Sequence, residues 1–343
     1  MSLVVLASSP GVTVQDDGRP GWLAQGLSRG GAADPVALAE GAALLGQPPG
    51  LAVVELAAAP ARFRVTAPLR IALTGAPFRA TLRDGGTDRP LAWNTSHALP
   101  AGAELALSPG KGGGFAYLTP AGGIEAPLVL GARSAHLAAG IGGSLAAGAR
   151  LPTGPDPGGL GDMTLDPLPR FGGGEVRVVE SLQTSAFPPD QAARFRRTLF
   201  RRDARGNRTG VRLIPDGGPG FEAPGGLSIL SEIVQPGDIQ ITGDGTPYVL
   251  LCECQTTGGY PRIATVLPCD LPRVAQAPPG AALTVRFVTR PEARAAMADH
   301  ARARASLRDR LRPRLRDPAA MPDLLGYNLV GGVVSAHHEE DAP

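Results

Sequence analysis

Glycine and proline interrupt this chain throughout: 47 of its 343 residues are glycine and 35 are proline. Proline removes a backbone donor and blocks helix interiors, and glycine in a helix costs conformational entropy. Long helices are therefore excluded from most of the chain, whereas short strands joined by tight turns suit this punctuation. With 43% hydrophobic and 19% charged residues, the composition predicts a globular, mostly β fold with a few short helices.

The same punctuation divides the chain into four parts. Short apolar runs between turns predict a first β domain over 1–155 and a second over 175–290. Residues 156–174 are rich in proline and glycine and lack periodicity, which predicts a linker. Residues 291–343 are predicted to be a basic helical extension followed by an apolar tail, Leu324–Val334.

Three segments have helical signals. Asp34 is a good cap, Pro35 suits the first helical position and Gly46 ends the pattern, so a helix of about three turns is predicted between them. Further helices are predicted over Pro189–Leu199 and Pro291–Leu311.

The net charge of +2 belongs to the extension, because nine arginines and four acidic residues between Arg290 and Asp317 give a local charge of +5. The main body has no basic face interleaved with aromatics, which argues against nucleic-acid binding. The basic helix either docks an acidic partner or lies solvated against its own domain.

Cysteine usage and hydropathy suggest a cytoplasmic protein. Three cysteines do not predict a disulfide framework. Cys252 and Cys254 are predicted to share one face of a buried strand, and no metal site is expected because too few soft ligands lie nearby. No signal peptide is apparent at the start, and no stretch approaches the roughly 20 apolar residues that span a bilayer.

Two loops that precede the first helix signal are candidate ligand contacts. Gly18 and Gly21 predict turns that present Arg19 on a loop. Gly31 precedes the cap Asp34, so free backbone N–H groups near a helix start could hold a carboxylate, phosphate or carbonyl oxygen. The alternative is a plain turn before a helix.

A second candidate segment follows directly on an apolar run predicted as a strand, 248–254. Amide and hydroxyl groups at a strand end, with glycines that admit close backbone approach, suit an amide or carboxylate and could stabilise an oxyanion. The alternative is a polar turn that caps a barrel. The residues are Gln255, Thr256, Thr257, Gly258, Gly259 and Tyr260.

The third candidate segment is the run from Asn207 to Leu213. Asn207 can donate and accept at once, which fits a planar amide, and Arg208 and Arg212 offer forked donors for a carboxylate or phosphate. Alternatively, one arginine pairs with a structural acid such as Asp203 or Glu232.

Two common catalytic arrangements are missing from the sequence. The five histidines are scattered, and none lies in a recognisable Ser or Cys context. The glycine-rich run around Lys111 lacks the hydroxyl and the spacing of a phosphate-binding loop. If ATP is used, we expect that this chain does not hold it alone.

The motifs together resemble a known family. Gln15–Gly21, Gly31–Pro35, Ala121–Ile124 and Gln255–Ile263 occur in the same order in the carboxyltransferase-like C subunit of prokaryotic 5-oxoprolinase. That group also contains the matching half of the urea carboxylase carboxyltransferase domain. The resemblance extends from about Val12 to Val288 and does not include the C-terminal extension.

The resemblance implies a pair of cyclophilin-like β-barrels and a groove shared with a homologous B-type subunit, with a third, A-type protein in the oxoprolinase type. Oxoprolinase-type members act in the ATP-dependent opening of 5-oxoproline, whereas urea carboxylase-type members move a carboxyl group from carboxybiotin to an amide nitrogen. Gln255–Arg262 resembles the first type and Asn207–Leu213 the second. The chain has no biotin-attachment motif, so a carboxybiotin would come from a separate carrier.

These implications lead to a hypothesis for the site. Asn207 and Gln255 are expected to act on a small cyclic or planar amide in a cleft, with Thr256, Thr257 and Tyr260 as further contacts. Arg19, Arg208 and Arg212 would neutralise a carboxylate or phosphoryl group. The other residues expected to bind the substrate are Gly31, Asp34, Gly258 and Gly259. A rival hypothesis is a non-catalytic regulator that pairs with an inhibitor of a sensor kinase.

Overall fold

The computed structural model describes residues 1–159, 161–222 and 229–314. Its strands are short and its helices few, as the glycine and proline punctuation predicts. In the first part of the chain the strands are β1 Ser2–Ser8, β2 Val12–Gln15, β3 Val53–Ala57, β4 Ala61–Val65, β5 Leu69–Gly75, β6 Arg79–Asp84, β7 Thr87–Leu91, β8 Thr95–Leu99, β9 Glu104–Ser108, β10 Phe115–Pro120, β11 Arg150–Pro152 and β12 Met163–Thr164.

The second part supplies ten further strands. They are β13 Gly174–Val179, β14 Phe200–Gly206, β15 Gly210–Pro215, β16 Glu232–Ile233, β17 Asp238–Ile241, β18 Pro247–Leu250, β19 Thr257–Gly258, β20 Arg262–Val266, β21 Ala282–Phe287 and β22 Arg312–Pro313. The α-helices are α1 Pro35–Leu45, α2 Pro189–Arg197, α3 Leu271–Gln276 and α4 Arg290–Ala305.

The first half consists of two sheets that enclose one core. One sheet has the order β11-β1-β4-β9-β6-β7 and the other β2-β3-β10-β5-β8-β12-β22. In β4, buried Ala61, Phe63 and Val65 alternate with exposed Arg62 and Arg64, because successive side chains of a strand point to opposite faces. The buried face of β4 packs into the common core.

The second half is a closed barrel of seven strands in the order β13-β20-β17-β18-β15-β14-β21, closed by a parallel pairing between β13 and β21. The mostly β fold with few helices is therefore confirmed. The predicted strand 248–254 is wrong beyond Leu250, where β18 ends. Cys254 is buried in the turn that follows, and Cys252 is half-buried.

Strand β10 joins the two halves because its two faces belong to different cores. Ala116 and Leu118 pack inside the first half. Phe115 and Tyr117, on the opposite face, pack with the barrel. Every residue of β10 is buried as a result, so the halves meet through a continuous apolar contact and not through a hinge.

Helix α1 confirms the sequence prediction, and a buried ion cluster anchors it. Asp34 accepts hydrogen bonds from the N–H groups of Val36 and Ala37, and Gly46 caps the other end with a φ of 69°. Arg170 donates to Asp34 Oδ2 and to Glu40 Oε2, each at 2.6 Å. Arg170 belongs to the segment predicted as a linker, and its buried side chain thus contacts the first helix.

Helix α4 begins with a capping box, in which Thr289 and Glu292 satisfy each other's backbone N–H groups. After the helix ends at Ala305, Leu307 packs against α1, and Arg312–Pro313 pairs with β12 at the edge of the first-half sheet. The predicted apolar tail lies outside the described residues. No helix in the described part of the chain is long and apolar enough to cross a membrane.

Candidate functional site

A polar cleft of about 490 Å³ opens where loops of both halves meet. This volume lies within the range of small-molecule sites. Three of the predicted contact residues, Gln255, Thr256 and Thr257, contribute to its wall. The cleft is lined by Gly26, Leu27, Ser28, His136, Ala138, Ala139, Thr209, Glu253, Cys254, Gln255, Thr256 and Thr257.

The loop after β18 presents its polar side chains at the surface. Gln255 is exposed, and its Nε2 donates to Gln240 Oε1 at 3.1 Å. Thr257 belongs to the short strand β19, which pairs with β16, so the backbone of this loop is held on one side by a two-stranded sheet. A Cβ at Gly258 would lie 2.5 Å from Gln240 Nε2, so the Gln240 side chain would have to shift. Gly259 and Tyr260 follow outside the cleft wall.

Asn207 contacts Thr209, a residue of the cleft wall. Its Oδ1 accepts from the Thr209 N–H at 2.8 Å and from the Thr209 hydroxyl at 2.6 Å. This arrangement is an Asx turn at the β14–β15 hairpin, and Thr209 lies in the cleft wall. The Asn207 side chain is exposed.

Arg208 lies behind the wall, at the centre of a buried cluster. Its Nε donates to Glu253 Oε1 at 2.6 Å, and its other two nitrogens bind Glu55 and the carbonyl of Gly31. Residues Arg208, Glu253 and Glu55 are only 5%, 3% and 0% exposed. The arginine therefore forms ion pairs with two carboxylates, which leaves the trio with a net charge of −1, and links the barrel to the first half.

Arg19 and Asp34 are also buried behind the cleft. The Arg19 guanidinium donates to the carbonyls of Ser134 and Val129, and its buried Nη1 has no hydrogen-bond partner in the described part of the chain. Burial lowers the pKa of Arg19, against the opposing field of Asp16 and Glu253. Asp34 is committed to the α1 cap and to Arg170.

Gly31 is held by the turn that contains Gly18. The φ of Gly31 is +80°, and a Cβ on Gly31 would lie 2.6 Å from the Gly18 nitrogen.

Arg212 lies apart from the cleft and pairs with Asp203 and Asp244, each at 3.0 Å. The pairing with Asp203 is the structural alternative that the sequence leaves open.

Sequence reasoning missed Ser28 and His136, which lie 108 positions apart. Ser28 Oγ is 2.9 Å from His136 Nε2, and His136 Nδ1 accepts from the Ala139 N–H at 3.2 Å. Because Nδ1 is an acceptor, the proton of the neutral ring belongs on Nε2 and is donated to Ser28 Oγ. Burial lowers the pKa of His136, with Glu253 opposing, so the neutral ring is favoured. No sequence motif marks this pair.

The electrostatics of the cleft are dominated by neutral groups. The Glu253 carboxylate accepts from Arg208 and from the N–H groups of Leu137 and Ala138, so its charge is compensated inside the wall. The hydroxyls of Ser28 and the threonines and the amide of Gln255 also line the cleft, although the Thr209 hydroxyl proton is donated to Asn207. Such a set of donors and acceptors suits an uncharged amide.

The glycine-rich run near Lys111 is closely packed. A Cβ at Gly110 would lie 2.1 Å from the Pro77 carbonyl oxygen, and one at Gly113 would lie 2.7 Å from Gln276 Oε1. The Gly114 N–H donates to the same Gln276 oxygen. These glycines pack against the protein's own chain. Among the described residues, no group of three or more His, Cys, Asp or Glu side chains could hold a metal ion.

The architecture and motifs agree with comparisons to known proteins. Residues 25–289 match the family described as carboxyltransferase domain, subdomain A and B. A relative from Escherichia coli (strain K12), the C subunit of 5-oxoprolinase, is 32% identical over 290 residues, which cover 81% of this chain and 88% of the relative. The chain belongs to this carboxyltransferase-domain family, and the resemblance predicted from its motifs is confirmed.

Solved structures agree on the fold. TTHA0988 superimposes with a TM-score of 0.73 at 30% identity, and the match covers 84% of this chain and 55% of that one. The Kluyveromyces lactis urea carboxylase gives a TM-score of 0.78 at 23% identity, with coverage of 92% and 31%. The chain therefore spans about half of the first structure and a third of the second.

Proposed function

We propose that this chain is the C subunit of an ATP-dependent 5-oxoprolinase-type complex, and that its polar cleft binds 5-oxoproline or a related small amide. The main support for this proposal is that neutral hydrogen-bonding side chains line the cleft. They belong to Ser28, Thr209, Gln255, Thr256 and Thr257. A lactam presents one carbonyl acceptor and one N–H donor, and hydroxyl and amide side chains complement both. The identity to the E. coli protein supports the same substrate class.

The shape of the cleft supports a shared active site. Its volume of about 490 Å³ exceeds what a single five-membered ring fills, and its walls are surface loops. A B-type subunit homologue would close the opening over the substrate, and a third, A-type protein would join the complex. ATP would be held by those partners, because the glycine-rich run around Lys111 packs against its own chain.

The carboxylate of 5-oxoproline needs a cationic partner. Arg19, Arg208 and Arg212 are the residues predicted for this role, and they differ in accessibility. Arg208 is committed to two buried carboxylates, whereas the Arg212 side chain is 20% exposed. Arg212 is therefore the most accessible of the three arginines, and its pair with exposed Asp244 is solvent-screened. Because it lies apart from the cleft, it could contact only a substrate whose carboxylate extends beyond the cleft wall.

A second candidate function is carboxyl transfer from a separate carboxybiotin carrier to a urea-like amide. The family description names a carboxyltransferase domain, and the Asn207–Leu213 hairpin resembles the urea carboxylase version. The same neutral cleft would accept the planar amide. The two functions differ in their co-substrates, which gives a direct test.

The test is reconstitution of the chain with its B-type and A-type partners. The proposal predicts ATP hydrolysis that depends on 5-oxoproline and yields glutamate only when all three proteins are present. Transfer to urea that requires a carboxylated biotin carrier would favour the second function. An assembled complex with neither activity would contradict both and would support a regulator that acts by binding.

A further inference from the structure

A second cavity, of about 520 Å³, lies where helix α4 covers the barrel and the first half. It is separate from the polar cleft. The Gly30 N–H donates to the Cys252 carbonyl at 3.0 Å, and these two residues line the second cavity, whereas Ser28 and Glu253 line the cleft. The chain crossing at Gly30 therefore divides the two spaces.

Helix α4 contributes one face to this cavity. Met297, His300 and Arg304 all line it, and their spacings of three and four residues place them on one side of a helix. The family match ends at residue 289, so these three residues lie outside the shared region. The cavity is thus lined partly by residues within the family match and partly by helix α4, which lies outside it.

Two arginines reach this cavity from different elements. Arg29 comes from the loop before α1 and Arg304 from the end of α4. The Arg29 Nε donates to the Asp17 carbonyl at 2.8 Å, but neither arginine forms an ion pair within residues 1–159, 161–222 and 229–314. Two guanidinium groups that share a cavity and lack a carboxylate partner suit an oxyanion.

Asp16, Asp17 and His300 also line this cavity, in which Arg29 is itself solvent-exposed. Asp16 accepts from the N–H groups of Gly18 and Arg133, at 2.8 and 2.6 Å, so backbone donors compensate its charge. Asp17 is exposed. Burial and the neighbouring Arg304 lower the pKa of His300, which favours its neutral form.

The rest of the lining is mainly apolar. The apolar walls include Ala32, Ala33, Pro35, Pro236, Leu251, Pro268, Leu271, Pro272 and Met297. A purely inorganic ion would leave these walls unused. A ligand with an apolar body would bury them and gain the associated hydrophobic free energy.

We propose that this cavity binds a small organic anion, with a carboxylate or phosphate between Arg29 and Arg304 and an apolar body against Leu271, Pro272 and Met297. The site is independent of the polar cleft and of the reaction proposed there. A carboxylate and a phosphate could each accept hydrogen bonds from the two arginines, so the experiment includes a probe of each kind.

Methionine methyl NMR offers a local probe because the chain has only four methionines. With ¹³C-methyl methionine, the Met297 signal is assigned by Met297→Leu. Benzoate and phenyl phosphate are the two oxyanion probes, benzamide is the neutral control for benzoate, and acetate is the control without an apolar body. We expect at least one oxyanion probe to shift the Met297 signal saturably, and the two controls to leave it in place at the same concentrations.

The variant Arg304→Gln is expected to weaken binding of that probe about tenfold or more, because it removes a charge-assisted contact. Arg302→Gln is the matched control, since Arg302 pairs with Asp299 on the exposed side of α4, and it should retain the wild-type affinity. Arg29→Gln provides a second test on another element. A Met297 signal that neither oxyanion moves, that benzamide moves equally, or that still responds fully in both arginine variants would overturn the proposal.

Discussion

Arg208 of the barrel and Glu55 of the first half form an ion pair that is almost completely buried, with side-chain exposures of 6% and 0%. The same arginine binds Glu253, which lines the polar cleft. One residue therefore connects the packing of the two halves with the wall of the candidate site.

Replacing Arg208 should destabilise the protein strongly. Arg208→Met would leave two buried carboxylates without their cation, and we expect the free energy of unfolding to fall by about 3–5 kcal/mol. Arg212→Met is the control, because its partners are partly solvent-exposed, and it should cost about 1 kcal/mol or less. Urea denaturation measures both. Equal losses for the two variants would show that the Arg208 cluster is not a stabilising centre.

Gly31 should tolerate no side chain. Gly31→Ala must place a Cβ against the Gly18 backbone at a positive φ, and we expect a loss of about 3 kcal/mol or more. Gly21 has a φ of +94° with no atom within 4 Å of the added Cβ, so Gly21→Ala isolates the backbone strain, about 1–2 kcal/mol. Thermal unfolding compares the two variants. The steric argument fails if they are equally stable.

The histidine of the cleft should have one neutral tautomer. ¹⁵N NMR of the imidazole groups, with His136→Gln for assignment, is expected to place the His136 proton on Nε2 at pH 7. Ser28→Ala should keep that tautomer, because the Ala139 N–H that determines it is unchanged. A proton on Nδ1, or a charged ring at pH 7, would disprove the arrangement.

His97 should make stability depend on pH. Burial lowers its pKa, so the unfolded chain binds the proton more readily than the folded chain. The free energy of unfolding should therefore fall as the pH decreases below the ordinary imidazole value of about 6.5. His97→Gln, which can still donate to the Ala92 carbonyl, should reduce the slope of stability against pH between 7 and 5. An unchanged slope would exclude His97 as a contributor.

Local signals can be interpreted correctly from the sequence because neighbouring residues create them. The α1 cap at Asp34, the end at Gly46 and the mostly β character all depend on contacts within a few positions. The polar loop from Gln255 to Thr257 is also predictable, although the strand before it ends at Leu250 and not at Cys254. Hydrophobic residues continue past the point where the backbone turns, so pattern alone overextends the strand.

Long-range contacts cannot be predicted in the same way. An arginine that binds a ligand and one that neutralises buried carboxylates look identical in sequence, and the role of Arg208 depends on Glu55, which lies 153 positions away. Ser28 and His136 meet only because distant loops converge beside the barrel. The predictions that Arg19 and Arg208 contact a substrate still await a direct test, now with their buried positions known.

The polar cleft is the central claim, and turnover by the reconstituted complex tests it most directly. Gln255→Ala and Thr257→Val are compared with Gln191→Ala, a matched amide on helix α2 outside the cleft. We expect kcat/KM for 5-oxoproline-dependent ATP hydrolysis to fall about tenfold or more in both cleft variants and to stay near the wild-type value in the control. Wild-type kcat/KM in both cleft variants would contradict the assignment of the cleft as the substrate site.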